Sequence, residues 1–225
     1  MANADLLDIW NGALGYLGAK TSISATTEQS AEAAACALHY RRVVEKIVRE
    51  TDWNCLRRRR SLDEVPEGAV WPPSWRFMYK YPADCIAVRG FDFGWDGQSI
   101  LTVLPHEVAD DAEAGKVLLV NVCDPTLIYT SYVSDMTDAA YEAKFDASLR
   151  DAVTWALAAA IAGPISANAQ LMASARTEAN RSLLEAQAAN AGERTQTWMD
   201  DSAESLKVRG FVDYDRYPGP PWRCC

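Results

Sequence analysis

The chain has 225 residues, 49% of them apolar and 24% charged, which suits one large domain or two small ones whose core needs no disulfide or metal. Its formal charge is −9 and its pI near 4.8, which argues against a general nucleic-acid coat, since such a surface is basic. Eight Trp, nine Tyr and five Phe exclude a chain that is disordered throughout.

The opening stretch MANADLLDIW has no basic segment and carries Asp5 and Asp8, unlike a signal peptide. The longest apolar run, 152–165, falls short of the ~20 residues that span a bilayer and is interrupted by Gly163-Pro164, so no membrane partner is expected. The first predicted helix follows from Leu6, Leu7, Trp10, Ala13, Leu14 and Leu17, an apolar stripe at three- and four-residue steps that Gly18 should terminate. A polar connector covers 19–29, where Thr26 and Gln29 fit a capping box opening a second helix over about 28–51. Cys36, Tyr40, Val43, Val44 and Ile47 form its apolar face; Arg42, Glu45, Lys46, Arg49 and Glu50 lie opposite, with Glu45 and Arg49 spaced as an ion pair.

From about 58 to 136 the period changes. WRFMYKY (75–81), CIAVRGFDF (85–93), SILTVL (99–104), KVLLVN (116–121) and TLIYTSYV (126–133) read as strands of a small antiparallel sheet, with Asp96-Gly97 as a hairpin turn. Prolines 66, 72, 73, 82, 105 and 125 punctuate the stretch, mostly at strand boundaries. Helical spacing returns at Asp138: Tyr141, Phe145, Leu149, Ala152, Val153, Ala156 and Ala160 predict a third helix ending at Gly163-Pro164. Leu171, Met172, Ala175, Ala179, Leu183 and Ala186 predict a fourth over 167–191. Residues 138–192 hold 19 alanines, which fits close packing between helices or between subunits and equally fits plain helix propensity.

The fold class that follows is α+β. An antiparallel helical bundle (1–57 plus 137–192) receives a small antiparallel β-rich insert (58–136), and an extended C-terminal arm (193–225) completes the chain. The arm contains Trp198, Phe211, Tyr214, Tyr217 and Trp222 without sustained periodicity and ends YPGPPWRCC. A partner that buries these aromatics and a strap on the chain's own surface are both open readings.

Little in the sequence carries catalytic chemistry. Only His39 and His106 are present, with no G-x-S-x-G, Walker A or G-x-G-x-x-G motif. The six cysteines, at 36, 55, 85, 123, 224 and 225, form no C-x-x-C or zinc spacing and read as reduced thiols, with Cys224-Cys225 an exposed end. Asp110, Asp111 and Glu113 lack the alternation of a calcium loop and read as a solvated acidic loop. No catalytic residue, metal or cofactor is expected.

The most unusual feature is the run Arg57, Arg58, Arg59 and Arg60. Residues 41–60 hold eight basic and three acidic side chains, a local excess of +5, whereas 84–113 holds seven acids and one Arg. The run is open to three readings: a subunit or partner contact, in which basic ridge meets acidic surface including Asp110 and Asp111; a solvated or internally neutralised ridge; or contact with DNA phosphates.

Taken in order, NGALGYLGAKTSI (11–23), EQSAEAAACALHYRRVVEKIVRETDWNCLRRRRSL (28–62), WRFMYKYPADCIAV (75–88), YVSDMTD (132–138) and FDASLRDAVTWALAAAIAGPI (145–165) resemble the podovirus tail tubular protein A family, head-to-tail adaptors of tailed bacteriophages. The shared order is a helix hairpin, a Trp-centred corner, a Y-x-x-P-A-D strand and a Y-x-x-D lead into an alanine-rich helix, over roughly 5–192. The resemblance implies no enzyme. It implies a virion protein at the portal–tail junction, present in the host cytoplasm during assembly. There it forms a ring, typically dodecameric, between portal protein and tail nozzle or tail tube protein, and continues the DNA channel without sequence-specific binding. It further implies that 196–225, with its aromatics, is a portal-docking arm. A monomeric assembly chaperone or binding module that is not retained in the virion is the alternative; a small hydrolase or transferase would need polar groups convergent on His39 or His106.

Overall fold

The structure, a computed structural model, describes residues 4–65, 74–95, 98–132, 141–166 and 168–193. Asp96-Gly97, the aromatic tail from Trp198 to Trp222 and Cys224-Cys225 lie outside the described residues. Four helices and two antiparallel sheets give the expected α+β class.

Helix α1 (Ala4–Tyr16) buries Leu6, Ile9, Trp10, Ala13 and Leu14, the stripe expected from its spacing. Gly18 takes a φ of +72°, and the amides of Leu17, Gly18 and Ala19 turn back onto the carbonyls of Leu14 and Gly15. The connector that follows is fastened by Asn11, whose carboxamide accepts from the Ile23 amide (2.7 Å) and donates to its carbonyl (3.0 Å). Helix α2 (Ala31–Glu50) starts later than expected. Its cap is the extended Ser30, whose hydroxyl accepts from the Ala33 amide; Thr26 and Gln29 do not form the capping box. The reason is local: the Glu28 carboxylate accepts from both the amide and the hydroxyl of Ser24, closing the 24–28 loop ahead of the helix. These bonds hold its pKa below the usual carboxylate value.

Helix α3 (Ala147–Ile165) also begins later than its apolar spacing suggests. Tyr141 and Phe145 are buried, but they flank a short 3-10 turn (Glu142–Lys144), and Asp146 caps α3 by accepting from the Leu149 amide (2.7 Å). Gly163-Pro164 is not the stop: both residues lie in the last turn, which closes with the Ser166 amide on the Ala162 carbonyl. Helix α4 (Ala169–Gly192) is capped by Asn168 and buries Ala175, Ser182, Ala186 and Asn190. The helices α1, α2 and α4 all pack on α3, which is buried nearly all round.

The described residues form seven strands. The four-stranded sheet has the order β1-β7-β3-β4, from β1 (Arg57–Ser61), β7 (Thr126–Ser131), β3 (Cys85–Trp95) and β4 (Gln98–Thr102). The three-stranded sheet has the order β2-β6-β5, from β2 (Phe77–Lys80), β6 (Gly115–Val120) and β5 (His106–Asp111). The single expected sheet is therefore two, and β1 and β5 are strands in addition to the five expected, in place of an arginine ridge and an acidic loop. Trp95 pairs with Gln98, so β3 and β4 are joined across the two-residue 96–97 connection. Tyr79, Leu118 and Val120 of one sheet and Phe91, Leu127 and Tyr129 of the other share one core. The helical core is a separate cluster, with Ile86 of β3 packed against it.

Candidate functional site

Strand β1 consists of the four arginines and Ser61, paired antiparallel with β7 from Arg57↔Thr130 to Ser61↔Thr126. Successive side chains of a strand point to opposite faces, so the run cannot present four guanidinium groups on one surface. Each arginine meets an aspartate. Arg57 binds Asp52; Arg58 binds Asp84 at 3.0 Å; Arg59 binds Asp92 at 3.3 Å; Arg60 lies 3.5 Å from Asp63. Asp84 also accepts from the Tyr129 hydroxyl at 3.0 Å. The local positive charge of the run is answered within the chain. Two of the aspartates come from the acidic 84–113 segment and two flank the run. Because Arg58, Arg59 and Arg60 are about half exposed, each of their pairs contributes only ~0–1 kcal/mol. As an edge strand, β1 also carries the charge that deters unwanted strand pairing.

Asp110 and Asp111 end β5, the edge of the other sheet, and among the described residues neither pairs with the arginine run. The Asp111 carboxylate accepts from the amides of Glu113 (3.0 Å) and Ala114 (2.8 Å), and Gly115 at φ +71° completes the turn into β6. Asp111 is thus a turn residue. Asp110 is exposed and faces Lys116 in the register, but that ammonium lies over the Tyr81 ring, 3.9 Å from its centroid.

The junction between helices and sheets is organised by Arg89, which sequence reasoning missed. It sits on β3 within the second of two register shifts, the one between Val88 and Gly90. Its Nη2 donates to the carbonyls of Val48 (3.2 Å), Arg49 (2.9 Å) and Thr51 (2.8 Å), and its Nε to Thr130 Oγ1 (2.7 Å). A cation here satisfies the last carbonyls of α2 and complements the negative end of its dipole. Asp52 lies between Arg57 and Arg89. The same corner is closed from α4: Asn190 Oδ1 accepts from the Asn54 amide (2.8 Å) and its Nδ2 donates to the Asp52 carbonyl (3.0 Å). Trp53, fully buried, donates its indole N–H to the Ile47 carbonyl. The available signal was an arginine directly after the apolar run Cys85–Val88, which must find acceptors when largely buried.

A second polar joint ties three helices. Asp151 of α3 accepts from the Tyr16 hydroxyl of α1 and from the Ser182 hydroxyl of α4, both at 2.8 Å. Burial and the adjacent carboxylate push the Tyr16 phenol up to about 12, and its ring stacks on Trp155, 3.9 Å between centroids. Cys36, Cys55 and Cys85 are free thiols, whereas Cys123 is disulfide-bonded, which corrects the reading of six reduced cysteines; burial pushes the Cys36 thiol up to about 12. His106 is half-buried, edge-on to Phe91, with its Nδ1 2.9 Å from the Leu104 carbonyl. Among the described residues no three His, Cys, Asp or Glu side chains group as metal ligands, and no helix is long and apolar enough to cross a membrane. Neither the models of known protein families nor the curated proteins give a match to this chain.

Proposed function

We propose that the chain is a structural head-to-tail adaptor of a tailed bacteriophage, one subunit of a ring that joins the portal to the tail nozzle and continues the DNA channel. The observation that carries this reading is what the polar residues of the resembling motifs do. Asn11 clamps Ile23; Trp53 and Asn54 lock the α2 corner to the chain and to α4; Asp84 of the Y-x-x-P-A-D strand joins Tyr129 and Arg58; Asp146 caps α3. Each of these residues fixes a turn, a helix cap or a contact between elements, which suits a rigid building block of an assembly. The acidic balance of the chain suits a channel past which DNA slides without sticking. The arm 196–225, with Trp198, Phe211, Tyr214, Tyr217 and Trp222, docks the portal in this reading, and the ring takes its place in the virion after a cytoplasmic stage.

Copy number in purified virions, measured by quantitative mass spectrometry against the portal protein, tests the proposal. Parity with the portal is expected. Absence from virions while the chain is made during infection would overturn it in favour of the assembly chaperone.

A further inference from the structure

With the arginine strand neutralised by its own aspartates, unanswered positive charge among the described residues is found elsewhere, α2 included. On α2, Leu38, Arg41, Arg42, Glu45, Lys46 and Arg49 fall at helical spacings that place them on one stripe. Arg41, Arg42, Lys46 and Arg49 are exposed, and Leu38 is 73% exposed. Arg41 lies beside the Tyr132 hydroxyl, and the i,i+4 pair of Lys46 with Glu50 is open, at 3.9 Å. Among the described residues Arg42 and Arg49 form no ion pair.

A surface of the opposite character stands on the β5–β6 hairpin. Asp110 and Glu113 are exposed there, and among the described residues neither has a basic partner within ion-pair distance. Val108, on the same face of β5 as Asp110, is 42% exposed, and Val103 just before the strand is 73% exposed. Each surface therefore pairs an uncovered aliphatic side chain with a net charge, positive on the stripe, where four cations outnumber Glu45, and negative on the hairpin. They belong to different elements in different cores, so one chain offers both at once.

We propose that the α2 stripe of one copy receives the β5–β6 hairpin of the next, Leu38 meeting Val108 and the Arg42–Lys46 side meeting Asp110 and Glu113. Such a contact is heterologous and propagates head to tail, the kind that closes into a ring. It combines an apolar centre with charged edges that fix register and speed encounter. The inference rests on the ring reading and names its subunit surface.

The test uses two variants of the full chain, Arg42→Glu/Lys46→Glu and Asp110→Lys/Glu113→Lys, followed by sedimentation at low ionic strength over a rising concentration series. All four positions are exposed, and circular dichroism checks that each variant folds; Asp110→Asn/Glu113→Gln replaces the second if its hairpin is disturbed, with weakened association expected. The wild-type chain should associate and lose association as salt rises. Each reversal alone should abolish it, and an equimolar mixture of the two reversals should restore it, because acidic stripes then face basic hairpins in alternation. Wild-type association that survives both reversals would overturn this surface and leave the ring reading standing. A wild-type chain that never associates would overturn the contact, and virion copy number would still decide the ring. Binding of duplex DNA by the wild-type chain, lost in Arg42→Glu/Lys46→Glu and without self-association, would assign the stripe to nucleic acid and overturn the proposal as well.

Discussion

The helical and strand regions of this molecule hold themselves together by different means. Helix α3 is enclosed by its neighbours, with Leu149, Ala152, Val153, Leu157, Ala158, Ile161 and Ala162 all buried. Helix α1 approaches it so closely that a Cβ on Gly12 would sit 3.0 Å from Thr154 Cγ2. The strands instead share a thinner core and leave charged edges in water, β1 with its arginine–aspartate pairs and β5 with its acidic turn. In close-packed helices stability resides in individual buried atoms, because an interior without voids transmits every change of volume. At the strand edges it resides in backbone register, and the side chains are left to set solubility and contacts with other chains.

The sharpest way to break this contrast is in α3. Leu157→Ala should cost about 3 kcal/mol, since the fully buried position leaves a cavity that four packed helices fill only in part. Urea unfolding followed by Trp fluorescence measures it. A loss near 1 kcal/mol would mean that the bundle relaxes and is less tightly packed than its geometry implies.

The joint between the regions comes next. Arg89→Lys keeps the charge but gives up the planar fork that reaches the Val48, Arg49 and Thr51 carbonyls and Thr130 together, so a loss of about 2 kcal/mol is expected. A neutral outcome in the same urea experiment would show that these carbonyls are satisfied without the guanidinium.

Gly12 allows a finer measurement. Replacing a helical glycine by alanine normally gains ~1 kcal/mol. Here the new methyl meets Thr154 Cγ2, whose rotamer is held by the hydroxyl's 2.7 Å bond to the Arg150 carbonyl. Gly12→Ala should therefore lower stability by about 1 kcal/mol. Gly12→Ala/Thr154→Ser keeps that hydrogen bond, removes the obstructing methyl and should recover the loss. A single variant that is stabilised in thermal melts would show that α1 and α3 separate freely.

The same contrast governs what was legible in the sequence. The five expected strands were readable because their aromatic and β-branched runs between turn residues record burial, as in β6 and β7, where successive residues are buried. Strands β1 (RRRRS) and β5 (HEVADD) were not, since edge strands with solvated side chains carry no such record and exist through their partners β7 and β6. Helix interiors were legible, and their ends less so. Asp146 and Ser30 cap where the backbone turns, whereas Tyr141 and the Thr26–Gln29 spacing only imitate helix signals. For the arginine run, charge complementarity with 84–113 pointed to Asp84 and Asp92 in kind, but the particular pairs follow from a register that composition does not contain. That Asp110 stays apart from the run is likewise a matter of two separate sheets, each with its own edge.

The smallest expected effect lies at the outer end of β1. Arg60 and Asp63 are more than half exposed, three residues apart and 3.5 Å from one another. Water screens the attraction, and two mobile side chains lose freedom in keeping the contact, so Arg60→Ala should shift stability by no more than ~0.5 kcal/mol. The strand itself should persist, because its pairing with β7 is made by backbone groups from Arg57 to Ser61. Hydrogen exchange of the β1 and β7 amides in the variant reads this directly: unchanged protection is expected. Lost protection along the pair would mean that the ionic contact, and not the ladder, holds this edge, and the distinction between helices held by burial and strands held by register would fail at its most exposed point.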